Sequence, residues 1–176
     1  MKKGERSAEY GSSILPALHP IFHDPMTIYL GADHRGFRLK EQLKNFLKED
    51  GYVFTDLGAA EYDGSDDYPN FAVAVAEKVS GSPEESRGIV ICGSGCGVDI
   101  VANKFRGVRS ALAISPDHAF MARHDDNANV LALASDFIDE ASAKSIVKVF
   151  LTTPFAQLEE RYARRLRKIE EIEGNR

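Results

Sequence analysis

Glycines at 93, 95 and 97 alternate with Ser94 and Cys96, and Cys92 stands directly before them, in the stretch RGIVICGSGCGVDIVANKF (residues 87–105). Alternating glycines let the backbone take positive φ and turn successive N–H groups inward, which makes an anion-binding nest where a helix begins. A thiol at the end of a strand beside such a nest is favoured as thiolate. Cys92 alone reads equally well as a small buried packing residue, the commonest role of free cysteine. Ser94 two residues on, with Asp33 and His34 facing the loop on the topology derived below, shifts the reading toward chemistry.

Spacing argues against several familiar loops. A dinucleotide fingerprint needs G-x-G-x-x-G, and the third glycine here comes one residue early. No Gly-Lys-Ser/Thr follows, so a Walker loop is excluded as well. The two cysteines are separated by three residues, one more than a redox C-x-x-C allows. A thiolate beside preorganised N–H donors suits removal of a proton α to a carbonyl, because the resulting enediolate oxygen needs such donors. Aldose–ketose interconversion uses that step, with one base moving the proton between C1 and C2. Acyl transfer would use the same nest but would want a histidine on the thiol, for which His34 is the candidate.

The elements that must position these residues follow from periodicity. Apolar runs (TIYLGAD, YVFTDLG, GIVICG, SALAIS, NVLALAS) alternate with helix-period segments, and GIVICG is the near-continuous β-branched run of a strand buried on both faces. In the first helical segment Leu39, Leu43, Phe46 and Leu47 share one stripe, with Gly51 at its C-terminal end. A last helix is expected in FAQLEERYARRLRKIEEIE. Five strands alternating with helices predict an α/β, three-layer α-β-α sandwich: a Rossmann-like five-stranded parallel sheet, order 2-1-3-4-5, with an extra C-terminal helix. The crevice in such a sheet lies where strand order reverses, between strands one and three, which places Asp33 and His34 opposite Cys92 and Ser94.

The chain as a whole sets limits. Its 176 residues, 43% of them hydrophobic, suffice for one domain with a full core. A net charge of −5 offers no general attraction for nucleic acid or an anionic membrane, and no run approaches a membrane span. Both cysteines fall in one loop, so no secreted disulfide framework is indicated and a reducing cytoplasm is expected. Residues 1–25 read as a flexible extension ahead of a single domain at 26–176; SSILPALHPIF, broken by two prolines, is a poor signal-peptide core. His19 and His23 have the spacing of a metal pair, but Pro20 opposes the helix they would need.

YLGADHRGFRLKEQL, DYPNFAVAVA, GIVICGSGCGVDIVANKFRGVRSAL and DNANVLALAS resemble, in that order, the ribose-5-phosphate isomerase B / galactose-6-phosphate isomerase family, over essentially Met26 to Ile172. The resemblance implies an isomerase of phosphorylated aldoses without metal or cofactor, a homodimer or tetramer with active sites shared between subunits. By the same resemblance Cys92 is the base, and Ser94 with the loop residues Gly93, Gly95, Cys96 and Gly97 holds the substrate and its enediolate. Asp33 and His34 match residues contacting sugar hydroxyls and phosphate, and Tyr68 matches a pocket tyrosine. No nucleic acid or membrane partner is implied.

Three departures from the family pattern bear on chemistry. Where the family carries a ring-opening histidine, RHDDNANVL has Asp125, with His124 one residue earlier, and Asp126 stands for the usual substrate-holding asparagine. Asp125 is expected to take the acid–base role; a substrate that needs no ring opening, such as a four-carbon sugar phosphate, is the alternative, and a contribution from His124 is the third. Asp136 occupies the place of a phosphate-binding arginine after strand five. In QLEERYARR, Arg161 and Arg165 match the family's C-terminal phosphate-binding arginines, while Leu158, Tyr162, Leu166 and Ile169 form a competing apolar stripe. A non-catalytic sugar-phosphate sensor is the rival reading.

Overall fold

A computed structural model describes residues 26–174. The extension at 1–25, with His19 and His23, lies outside those residues. Strands and helices alternate along the chain as β1 (Thr27–Ala32), α1 (Phe37–Glu49), β2 (Phe54–Asp56), α2 (Tyr68–Gly81), β3 (Ser86–Cys92), α3 (Cys96–Ala102), β4 (Ser110–Leu112), α4 (Pro116–His124), β5 (Val130–Ala134), α5 (Glu140–Thr152) and α6 (Glu160–Gly174). All strand pairings are parallel.

The sheet order is β2-β1-β3-β5-β4, so the last two strands are interchanged relative to the 2-1-3-4-5 expected from sequence. The reason lies in burial. VLALA in β5 is buried at all five positions, whereas the three residues of β4 are each only partly covered. A strand that is apolar on both faces is best placed inside the sheet, and a short one at its edge. The reversal of strand order still falls between β1 and β3, so the expected crevice is unmoved.

Side chains of β3 alternate between two cores. Ile89 and Ile91 pack with α1, α4 and α5 through Leu43, Ala122, Ile146 and Phe150. Val90 and Cys92 pack on the other face with Val75 and Val79 of α2 and Val98 of α3. These are the three layers, and Cys92 emerges at the end of β3 on the α2/α3 side. In α1, Leu39, Leu43 and Leu47 are buried as the stripe requires; Lys40 joins them, its ammonium 2.6 Å from Asp56. The stripe expected on the last helix is reduced: Tyr162 is buried, but Leu158 precedes the helix and is fully exposed, and Ile169 is half-exposed.

Candidate active site

The loop after β3 is shaped around the Cys92 sulfur. Cys92 is buried, and the Gly95 N–H donates to Sγ at 3.2 Å. An N–H donor on sulfur supports negative charge there. Gly95 reaches this position with φ +72°, in the left-handed region that favours glycine, and a Cβ there would stand 2.5 Å from Leu112 Cδ1 and 3.1 Å from the Leu133 carbonyl. Ser94 is exposed, its Oγ accepting from the Cys96 N–H at 3.4 Å, and Cys96 is exposed as well. Gly97 has no side chain where the Tyr68 ring lies: a Cβ would come within 2.7 Å of it. Tyr68, the first residue of α2 and 39% exposed, therefore lies against the loop at Gly97.

The loop after β1 meets it from the side. The Asp33 N–H donates to the Ile91 carbonyl at 3.3 Å, one residue before Cys92. Asp33 is buried, accepts the Gly36 N–H at 2.9 Å, and burial pushes its carboxyl above the ordinary range. His34 is tied to Asp66, a residue that sequence reasoning passed over: the backbone N–H donates to Asp66 Oδ1 at 2.9 Å, and Nδ1 lies 2.7 Å from the same oxygen. Asp66 thereby raises the His34 pKa above its ordinary value, so the ring keeps its proton further toward neutrality. In sequence Asp66 reads as one acid in the turn DGSDDYP, and only the return of that turn over β1 reveals its role. Arg35 forms an ion pair with Asp136, the acid that stands after β5 in the place of a phosphate-binding arginine. The Ser135 hydroxyl donates to the Arg35 carbonyl at 3.0 Å, fastening the β1 and β5 loops together.

A second group of the expected residues lies elsewhere. Asp125 caps the C-terminal end of α4, and its Oδ1 is 2.7 Å from His124 Nδ1. The His124 bond, then those of Tyr162 and the charge of Arg161, holds the Asp125 carboxyl below the usual range. Asp126 beside it is pushed up, first by burial and then by Asp125, with Arg165 opposing. The Arg161 guanidinium stacks on Tyr162 at 4.4 Å, and His124 packs edge-on against the same ring at 5.6 Å. Asp125 and Asp126 line a cleft of about 580 Å³ together with Arg109, Ser110, Ile169 and Ile172.

The two groups occupy opposite edges of the sheet. Cys92 pairs with Ala134 at the carboxyl end of β5, whereas Asp125 and Asp126 precede Val130 at its amino end. The length of β5, ~13 Å, separates those edges. One chain thus unites Asp33, His34, Tyr68 and the Cys92–Gly97 loop, and separately unites Asp125, Asp126, Arg161 and Arg165, but does not bring the two sets together. Among the described residues no cluster of three or more His, Cys, Asp or Glu is arranged to hold a metal ion, and no helix is long and apolar enough to cross a membrane.

The family model described as Ribose/Galactose Isomerase matches residues 28–169. A protein of Mycoplasma genitalium named a probable ribose-5-phosphate isomerase B is 42% identical over 142 residues, covering 81% of this chain and 92% of that one. The ribose-5-phosphate isomerase B of Mycobacterium tuberculosis strain H37Rv is 42% identical over 148 residues, covering 84% and 90%. Among solved structures, ribose-5-phosphate isomerase B of M. genitalium with bound ribulose 5-phosphate superposes with a TM-score of 0.82 at 41% identity, covering 85% of this chain and 97% of that one. The Clostridium thermocellum ribose-5-phosphate isomerase B gives 0.80 at 41% identity, covering 85% and 99%.

Proposed function

This chain belongs to the ribose/galactose isomerase family, and from that premise we propose that it interconverts an aldose phosphate and its ketose, with ribose 5-phosphate and ribulose 5-phosphate as the default pair. The observation that carries the reading is the buried Cys92 sulfur, held by the Gly95 N–H at the carboxyl end of β3 and flanked by Asp33 and His34. The Cys92 thiolate takes the proton from C2 of the open-chain aldose, giving a thiol and an enediolate. The exposed Ser94 hydroxyl and the free amides of the Gly93–Gly97 loop stabilise its oxygens. The hydroxyl proton passes from O2 to O1, and Cys92 returns its proton to C1. Asp33 and His34 hold sugar hydroxyls and phosphate, and Tyr68 bounds the pocket.

Asp125, Asp126, Arg161 and Arg165 complete the site from a second copy of the chain in a homodimer or tetramer. The separation of the two groups across the sheet supports this, because no five-carbon substrate bridges it within one chain. His124 and Asp125 act there as a unit: the carboxylate, held ionised, orients the imidazole through Nδ1 and leaves Nε2 to open the sugar ring. Arg161 and Arg165, one helical turn apart, bind the phosphate. Residues 26–176 carry the isomerase domain, and the two free cysteines fit a reducing cytoplasm.

The test is deuterium exchange at C2 in deuterated water, followed by NMR for four-, five- and six-carbon aldose phosphates. Wild-type protein is expected to exchange at least one of them and Cys92→Ala none, with ligand binding retained. An unchanged rate in Cys92→Ala would refute the base assignment. Binding without exchange by the wild type would favour a sugar-phosphate sensor on the same fold.

A further inference from the structure

The Arg35–Asp136 pair lies directly on the loop that holds the proposed base. A Cβ on Gly93 would collide with the Arg35 side chain and stand 2.6 Å from Asp136 Oδ2, so the pair occupies the space that the absent side chain leaves. The two residues come from loops on either side of β3, after β1 and after β5, and so span its end. Backbone and hydroxyl contacts fix the arrangement: the Asp136 N–H donates to the Gly93 carbonyl at 3.0 Å, and the Ser135 hydroxyl shares its one proton between the carbonyls of Arg35 and Cys92, at 3.0 and 3.1 Å. The Arg35 side chain is nonetheless 58% exposed and that of Asp136 35%. Asp136 engages the guanidinium through Nη2, its only side-chain partner among the described residues.

A guanidinium has five donors in a planar fork suited to phosphate or carboxylate. Arg35 follows His34 directly, so an imidazole and a guanidinium stand side by side at the mouth of the Cys92 loop, each held by one carboxylate, Asp66 for His34 and Asp136 for Arg35. The acid after β5 is therefore neutralised, and the edge presented to an incoming anion is the free side of Arg35. We infer that Arg35 is a substrate-binding residue that contacts the phosphate of the sugar at the Cys92 loop, with Asp136 as the positioning residue that competes with phosphate for the same fork. This rests on the sugar-phosphate reading above.

The assignment makes the two partners act with opposite sign, which a merely structural ion pair does not. Titration with inorganic phosphate, followed by calorimetry and by phosphorus NMR, reads binding without turnover. Arg35→Ala is expected to weaken phosphate binding about tenfold, the scale of losing one charged hydrogen bond, and to raise KM for the aldose phosphate by a similar factor. Asp136→Asn is expected to tighten phosphate binding severalfold by freeing the guanidinium. Equal weakening by both variants, or no change in either, would overturn the inference. Should Arg35→Ala fail to fold, Arg35→Gln and the sign of the Asp136→Asn effect still decide it. Repeating the titration in Cys92→Ala keeps this result separate from the base assignment, since phosphate affinity does not depend on proton transfer.

Discussion

Replacing Gly95 by alanine tests whether the loop geometry, and not only its composition, makes the site. Two costs act on the folded state. Gly95 sits at φ +72°, where an L-residue is disfavoured by roughly 1–2 kcal/mol. The new methyl would also stand 2.5 Å from Leu112 Cδ1 and 3.1 Å from the carbonyl carbon and oxygen of Leu133. The leucine tip can swing away, but the β5 backbone beneath cannot, and overpacking of this kind adds about 1–3 kcal/mol. The sum, roughly 2–5 kcal/mol, corresponds to a fall in Tm of ~4–20 °C for a domain of this size. Relief of the clash would lift Gly95 off Leu133 and pull its N–H from Cys92 Sγ, so proton exchange should fall further than the loss of folded protein explains. Thermal unfolding by circular dichroism, with exchange measured well below the midpoint, reads both quantities. A Gly95→Ala protein with wild-type Tm and wild-type exchange would refute the reasoning.

Asp66 raises the His34 pKa, so the folded state keeps a proton that the unfolded chain releases; that stabilisation is full below pH ~6.5 and is lost as pH rises through the folded value. Asp66→Asn is expected to move the His34 imidazole midpoint downward in a proton NMR titration, and an unmoved midpoint would contradict the assignment. If His124 and Asp125 open the sugar ring, His124→Ala and Asp125→Asn should each slow a five-carbon aldose phosphate strongly while sparing a four-carbon one that cannot cyclise; equal losses on both would exclude a ring-opening role. If the site is shared between copies, mixing inactive Cys92→Ala and Asp125→Asn proteins under conditions of subunit exchange should restore about a quarter of wild-type activity through mixed dimers. No recovery on verified mixing would place both groups in independent sites.

What the sequence disclosed and what it withheld divide along chain separation. The Cys92–Gly97 loop was legible because its parts are neighbours in the chain, and the facing of Asp33 and His34 followed from one rule about where strand order reverses. Interchange of β4 and β5 was not deduced, because strand pairing is non-local, although the longer apolar run of NVLALAS was a usable signal. Asp66 and Arg35 were missed for a related reason: one looks like an ordinary turn acid and the other fills the variable place in D-H-x-G. Their partners lie 32 and 101 residues away. The division of the expected residues between opposite sheet edges was likewise invisible, since a list of residues carries no position along the strand axis.

Placing β5 between β3 and β4 sets an order of events in folding. The floor beneath the Cys92 loop is supplied by Leu133, Ser135 and Asp136, about forty residues later in the chain. A chain emerging from the N-terminus therefore completes β1 and β3 with the thiol loop unsupported, and the closing contact is a long-range one of the kind that slows folding. Until β5 inserts, β3 presents an apolar, unpaired edge, the feature through which incompletely folded chains associate. The Cys92–Gly97 loop lies mid-chain, yet the contacts that floor it come from the last strand and the residues just after it.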